Sequence, residues 1–342
     1  MLRLFSKPSS KPVLQAVRFF FHWLRAWFLP VALLGAISFI AILGLIFMPG
    51  PHPQAVQVEL QRGANLRGVT AQLDQQGVLR NALLFQAYVR LRGQASALKA
   101  GEFNIPAGTD MEALLQILIR GDSVLHAITF AEGLTSQIIV EQLRGETLLQ
   151  GEVAIPAEGS LLPETYKVPR GMSRAALLAQ MTRAQKRAID ELWPNRQAGL
   201  PIKTKQEAII LASIVERETA VAEERPLVAA VFINRLKKRM RLQSDPTIIY
   251  GLVGGQGKLG RPIRRSEIRR RTAYNTYRIN GLPPTPIANP GRAAIAAVLN
   301  PADSQALYFV ADGTGGHVFS HSLAEHNRHV QRWRKIENQQ KR

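Results

Sequence analysis

Two glutamates one residue apart, Glu216 and Glu218, are the groups in this chain best placed for proton chemistry. Upstream, Thr204-Lys205-Gln206-Glu207 has the pattern in which a hydroxyl and a carboxylate each satisfy an amide of a helix's first turn. The spacing predicts a helix over 205–220. At about 100° per residue, Leu211, Ile214, Val215, Val221 and Ala222 share one side, with Glu218 near its middle and Glu216 facing solvent. Desolvation disfavours a charged carboxyl, so Glu218 should keep its proton to a higher pH and serve as a general acid near neutrality. The same position also suits a structural carboxylate paired with an arginine such as Arg235. The residue pattern leaves both readings open.

The segments that must position Glu218 follow it. Pro226, preceded by Glu223 and Glu224, opens a second helix with a favourable dipole arrangement; it should bury Leu227, Val231 and Leu236 and end in Lys237-Lys238-Arg239. Gln243 to Gly251 reads as a polar loop with Asp-Pro turn chemistry running into a β-branched stretch, suited to a hydroxyl- and amide-rich ligand. Tyr274 to Tyr277 and the proline-rich run to Gly291 form either a rigid, aromatic ligand-binding wall or a tether across the domain. Gln243, Asp245, Tyr250, Asn275 and Tyr277 are the candidate ligand-shaping residues. For a second carboxylate near Glu218 the first candidate is Glu164, in the run Glu158 to Tyr166, with Asp245 behind it.

Other chemistry is poorly supported. His317, His321, His326 and His329 lack the fixed spacing and cysteine partners of zinc sites, so no metal is expected, and His326 and Asn327 read as fold buttresses. The glycines from Gly254 to Gly260 lack the Gly-Lys-Ser/Thr ending of a phosphate loop. They and the arginines that follow, Arg264, Arg265, Arg269 and Arg270 among them, read as an exposed basic loop. No cofactor is expected. The absence of cysteine excludes disulfides and thiolate metal sites.

The 342 residues allow two or three domains, and a net charge of +19 calls for an anionic partner or surface. Residues 1–25 are basic and carry no acid, whereas 26–48 is uncharged, long enough to cross a ~30 Å hydrocarbon core, and followed by Pro49-Gly50-Pro51. An apolar run of that length reads as an uncleaved membrane anchor rather than a signal peptide. The excess of basic residues before it places residues 1–25 in the cytoplasm and the remainder outside. That topology argues against nucleic acid as the partner. Beyond the anchor, Val56, Val58 and Leu60 alternate as in a strand. Helices are expected over 66–77, 82–91, 111–119, 174–192 and 292–300, and strands near 99–106, 125–130, 307–310 and 317–320. The expected class is α+β, divided into a linker and small subdomain over 49–122, a main domain over 123–336 and a polar tail over 337–342.

Five segments, in order, resemble one family: Ile214–Ala220 (IVERETA), Val231–Leu236 (VFINRL), Met240–Gly251 (MRLQSDPTIIYG), Ala273–Gly291 (AYNTYRINGLPPTPIANPG), and Tyr308–Ser320 (YFVADGTGGHVFS) with Glu325-His326-Asn327. They are similar to the endolytic murein transglycosylases of the YceG-like family, membrane-anchored enzymes that cut the glycan strands of bacterial peptidoglycan. The resemblance implies that Glu218 is the catalytic acid, that the small subdomain is LysM-like, and that the chain sits in the inner membrane with a periplasmic catalytic domain. Glycan strands are the implied substrate and wall synthases possible partners. Two departures stand out: the two positions after Gly159, and Glu164, differ from the family's more usual phenylalanines and aspartate, and Thr285 stands where relatives often have glycine.

Overall fold

The computed structural model describes residues 11–61 and 63–340 and divides into two compact units, separated between Val124 and Leu125. Residues 1–10 of the expected cytoplasmic tail 1–25 and the last residues of the expected polar tail, 341–342, lie outside the described residues.

In the first unit, α1 (Lys11–Phe47) takes in the apolar stretch expected to be an anchor and part of the basic stretch before it, with Pro30 inside the helix. Its apolar part, Phe28–Phe47, has a mean hydropathy of 2.6 and is almost entirely exposed, which is the pattern of a surface made for hydrocarbon. A small α+β body follows. Strand β1 (Val56–Leu60) leads to α2 (Leu66–Gln75) and α3 (Ala82–Leu91), then β2 (Gly101–Ile105) and α4 (Met111–Arg120). β1 and β2 pair antiparallel with Val58 opposite Phe103. The inward residues of the strands, Val58, Leu60, Phe103 and Ile105, meet Leu73, Phe85, Val89, Leu114, Leu115 and Leu118 from the helices in one core. Asn65, Asn81 and Asp110 each cap the helix that follows by accepting a backbone N–H.

The second unit begins with β3 (Leu125–Thr129), α5 (Ser136–Gly145), β4 (Leu149–Gln150), β5 (Thr165–Pro169) and β6 (Met172–Ser173). β3 pairs antiparallel with β5, Ile128 opposite Tyr166, and β4 pairs parallel with β6. Helix α6 (Arg174–Leu192) buries Leu177 and Met181 against Ile139, Leu143, Leu161 and Val168. Then come α7 (Lys205–Glu218), α8 (Arg225–Lys237), α9 (Asp245–Val253), α10 (Arg265–Arg269) and α11 (Arg292–Leu299). The hairpin β7 (Tyr308–Ala311) and β8 (His317–Ser320), with Phe309 opposite Phe319, precedes α12 (Leu323–Gln340). Residues 337–340, read as polar tail from the sequence, continue this helix.

Helix α7 is the axis of the larger core. The predicted capping box forms: Glu207 N donates to Thr204 Oγ1 at 3.1 Å, and Thr204 N donates to Glu207 Oε2 at 3.2 Å. Every residue from Ala208 to Val215 is buried, because α8, α11 and the loop to Gly291 pack around the helix. The two-sided picture of the helical wheel therefore fails. The helix stops at Glu218, so Val221 and Ala222 fall in an irregular link and a short 3₁₀ turn, not on its apolar side.

Two further expectations change. Residues 245–253 form a helix, since Pro246 falls in a first turn, where a missing N–H costs nothing. The apolar run Leu307 to Val310 reads as a buried strand, whereas β7 is half-buried.

Candidate active site

Glu218 is the last residue of α7 and faces a cavity of about 410 Å³ in the second unit. Gln243, Asp245 and Tyr277 line the same cavity, as do Arg235, Tyr308, His326 and Asn327. Of the residues singled out from sequence, these four come together: Glu218, Gln243, Asp245 and Tyr277. Tyr250, Asn275 and Glu164 do not line it.

The Glu218 carboxyl accepts a hydrogen bond from Ser244 Oγ, 2.5 Å from Oε1. Ser244 is buried and immobilised: its N–H donates to Thr276 Oγ1 at 2.9 Å, and its carbonyl accepts from Thr247 Oγ1 at 2.6 Å. Although the residue is partly open to the cavity, protein packs densely around the carboxyl group. Loss of water raises its pKa to about 7, against the ordinary carboxylate value of 4.5. The Asp245 charge adds to the rise, while the Ser244 hydroxyl and the positive charges of His317 and Arg235 oppose it.

Arg235 does not neutralise Glu218. Its Nε donates to the Leu307 carbonyl at 2.7 Å and its Nη1 to the Leu242 carbonyl at 2.6 Å, with the guanidinium 5.1 Å from the centre of the Tyr308 ring. The arginine therefore ties α8 to β7 and to the segment before Gln243. Gln243 has a left-handed backbone, φ +54°, which is uncommon for a residue with a side chain and holds the turn into Ser244 in one shape. Asp245 Oδ1 accepts from the Tyr277 hydroxyl at 2.8 Å.

Asn275 supports this arrangement from behind. It is buried, its Nδ2 donates to the carbonyls of Glu267, Ile268 and Arg270, and its Oδ1 accepts from Tyr277 N at 3.0 Å. A residue enclosed in this way holds Tyr277 and the basic loop in place and has nothing left for a ligand. Tyr250 points elsewhere, its hydroxyl donating to Glu158 Oε2 at 3.2 Å and its ring 5.1 Å from Tyr274. Glu164 is exposed, next to the start of β5. The second carboxylate in the cavity is Asp245.

Glu216, expected in solvent, is also enclosed. Its side chain is 3% exposed, pairs with Arg225 at 3.2 Å and accepts from Gly291 N at 2.9 Å. It clamps the end of α7 to the start of α8 and to the proline-rich loop. Below Glu218, Glu224 accepts from His317 N at 2.7 Å and lies 2.6 Å from its Nδ1, so the histidine is engaged with a carboxylate.

Sequence reasoning missed Ser244, and it read His326 and Asn327 as structural although both line the cavity. His326 stacks on Tyr308 at 5.1 Å, and burial together with Arg235 lowers its pKa, keeping it neutral at physiological pH. The presence of Glu325-His326-Asn327 in the last motif was the available signal, but more than a hundred residues separate it from Glu218. Glu158 was also missed. It is a buried carboxylate receiving Ser136 N at 2.7 Å and Asn289 Nδ2 at 3.0 Å, with its pKa raised by desolvation.

The YceG-like family matches the chain over residues 58–332, which includes all the cavity residues. The chain belongs to the YceG-like family. A protein of Streptococcus pneumoniae serotype 2 (strain D39) named endolytic murein transglycosylase is 29% identical over 328 residues, covering 80% of this chain and 58% of its own length. A Bacillus subtilis (strain 168) protein of the same name is 28% identical over 305 residues, covering 80% of this chain and 83% of its own. This YceG-like chain thus spans little more than half of the streptococcal relative. A solved YceG-like protein from Listeria monocytogenes shares 28% identity, with 80% of this chain and 98% of that one covered and a TM-score of 0.48.

Proposed function

We propose that this chain is an endolytic lytic transglycosylase, cleaving the β-1,4 bond between N-acetylmuramic acid and N-acetylglucosamine within peptidoglycan strands. The observation that carries the reading is Glu218: a single carboxyl with a pKa near 7, open to a polar cavity and steered by one hydroxyl. The names of the streptococcal and bacillar relatives supply the substrate class.

In this mechanism protonated Glu218 gives its proton to the glycosidic oxygen, and the bond from that oxygen to the muramyl C1 breaks as positive charge builds on the sugar. The 4-hydroxyl of N-acetylglucosamine departs. The carboxylate formed then takes the proton of the muramyl 6-hydroxyl, and O6 closes on C1 to give a 1,6-anhydro end. Glu218 recovers its proton and no water is consumed. Ser244 suits both states of the acid, donating to the carboxylate after proton transfer, while Asp245 favours reprotonation by its charge.

Asp245 also supports a second reading. Ordinary glycosidases use two carboxyl groups, and Asp245 beside Glu218 could direct a water to C1, making the chain a hydrolytic muramidase. A membrane-anchored peptidoglycan-binding scaffold in which Glu218 is inert is the non-catalytic alternative.

The cellular setting belongs to the same proposal: a single-pass protein of the inner membrane, N-terminus cytoplasmic and catalytic unit periplasmic, that ends nascent strands beside wall synthases. The length and hydropathy of Phe28–Phe47 and the basic residues before it support this topology. The β1-α2-α3-β2 order of the small body supports a LysM-like, glycan-contacting role.

The test is incubation of the detergent-solubilised full chain and its Glu218→Gln and Asp245→Asn variants with purified peptidoglycan, with fragments read by mass spectrometry. Fragments ending in muramic acid lighter by one water, absent with Glu218→Gln and retained with Asp245→Asn, are expected. Reducing ends lost in both variants would establish the muramidase, and binding without cleavage by any form the scaffold.

A further inference from the structure

A second, smaller hollow adjoins the Glu218 cavity, and the proposed bond cleavage makes no use of it. It encloses about 80 Å³ between Leu134, Ile138, Ile249 and Ile287, with Arg217 and Lys258 at its polar edge. The two hollows share a wall. Arg217 and Pro246 line the small one, while their chain neighbours Glu218 and Asp245 line the large one.

The polar groups of the small hollow leave an unbalanced positive charge. Thr135 Oγ1 is committed to the Gly255 carbonyl at 2.5 Å, and the Tyr250 hydroxyl to Glu158 at 3.2 Å. Arg217 Nη1 makes a long bond to the Gly133 carbonyl, 3.3 Å, which leaves the other guanidinium donors free for a ligand. Among the described residues neither Arg217 nor Lys258 forms an ion pair. The glycine loop that carries Lys258 lies close against α5: a Cβ on Gly257 would fall 2.5 Å from Ile138 Cδ1, and one on Gly255 2.8 Å from Gln137 Cβ. Glycines there bring the lysine to the rim of an otherwise aliphatic pocket.

We propose that this hollow receives the peptide branch of the muramyl residue lying over Glu218, and that Arg217 and Lys258 select strands whose branch carries a free carboxylate. The inference rests on the peptidoglycan reading above. A sugar ring is uncharged and hydroxyl-rich, a poor match to aliphatic walls edged by two cations. A short peptide with methyl groups and carboxylates matches both features.

The experiment compares glycan strands bearing intact peptide stems with the same strands stripped of stems by an amidase, using the full chain in detergent. The unmodified protein should cut stem-bearing strands with a kcat/KM about tenfold or more above that for stripped strands, the scale of a charge-assisted contact. Lys258→Ala and Arg217→Ala should each erase most of that preference and leave cleavage of stripped strands unchanged, and Arg217→Lys should restore part of it. Equal rates on both substrates, or variants that slow both equally, would overturn the proposal. Calorimetric titration of the Glu218→Gln protein with a disaccharide tetrapeptide keeps the test independent of catalysis. Binding that is weakened by amidation of the ligand's carboxylates and by Lys258→Ala is expected even from an inert scaffold, and binding indifferent to both refutes the site.

Discussion

Glu218 and Glu216 show how two like side chains, both carried into the protein, meet different partners. Glu216 meets Arg225 and the N–H of Gly291, partners that only partly offset its burial, so desolvation still raises its pKa. Glu218 meets one hydroxyl and a nearby carboxylate, so its proton is retained to about pH 7. Activity that needs the protonated form should fall as pH rises through about 7, seen as the basic limb of the kcat/KM profile. The same shift is linked to stability. The folded protein holds this proton at pH values where the unfolded chain has lost it, so stability is undiminished below the unfolded pKa of 4.5 and declines as pH rises toward and through 7. Glu218→Gln, which cannot ionise, should therefore be more stable than the unmodified protein at pH 8 by about 1–3 kcal/mol and nearly equal at pH 4.5. Thermal unfolding at the two pH values checks the sign.

At the scale of elements, the site depends on α7 ending where it does and on loops that have little freedom. Gly159 is one such point. Its φ is +77°, and a Cβ there would lie 2.5 Å from Pro286 Cγ and 2.9 Å from Ile209 Cγ2. The loop from Glu158 to Ser160 is thus wedged between the proline-rich segment and α7. Gly159→Ala should cost about 2–4 kcal/mol, from left-handed strain plus overpacking. Its denaturant midpoint should drop accordingly, and a shift as small as that of an ordinary surface substitution would contradict the packing. Most elements were legible in the sequence. Thr204 and Glu207 announced the start of α7, and the alternation of Val56, Val58 and Leu60 picked out β1. Residues 245–253 were misread because Asp-Pro is both a turn signal and a helix start, and only the packing of Thr247 and Ile248 chooses between them.

For the whole molecule, the charge of +19 and the apolar stretch Phe28–Phe47 bear on where it works. The chain has no cysteine, so single cysteines can report topology without a background. With the proposed orientation, a Gln197→Cys protein in spheroplasts should react with a membrane-impermeant maleimide and a Ser9→Cys protein only after lysis. Labelling of both, or the reverse pattern, would reject that orientation.

Glu218, the capping box behind it, the long apolar helix and the α+β class follow from local pattern, because each is set by residues within a few turns of one another. What surrounds Glu218 is not local. Ser244 reaches the Glu218 carboxyl, and Asp245, Tyr277, His326 and Asn327 its cavity, from segments 26 to 109 residues away, and Asn275, Tyr250 and Glu164 fail to line it for reasons equally remote. Asn275 is consumed by three carbonyls of the basic loop, Tyr250 by Glu158, and Glu164 is left exposed outside the cavity. The helical wheel picked out the glutamate that opens to the cavity and misjudged its neighbour, since a wheel assumes one covered face and α7 is covered all round from Ala208 to Val215. Burial on every side depends on how α8, α11 and the proline-rich loop pack together, and that packing decides which carboxylate is paired and which keeps its proton.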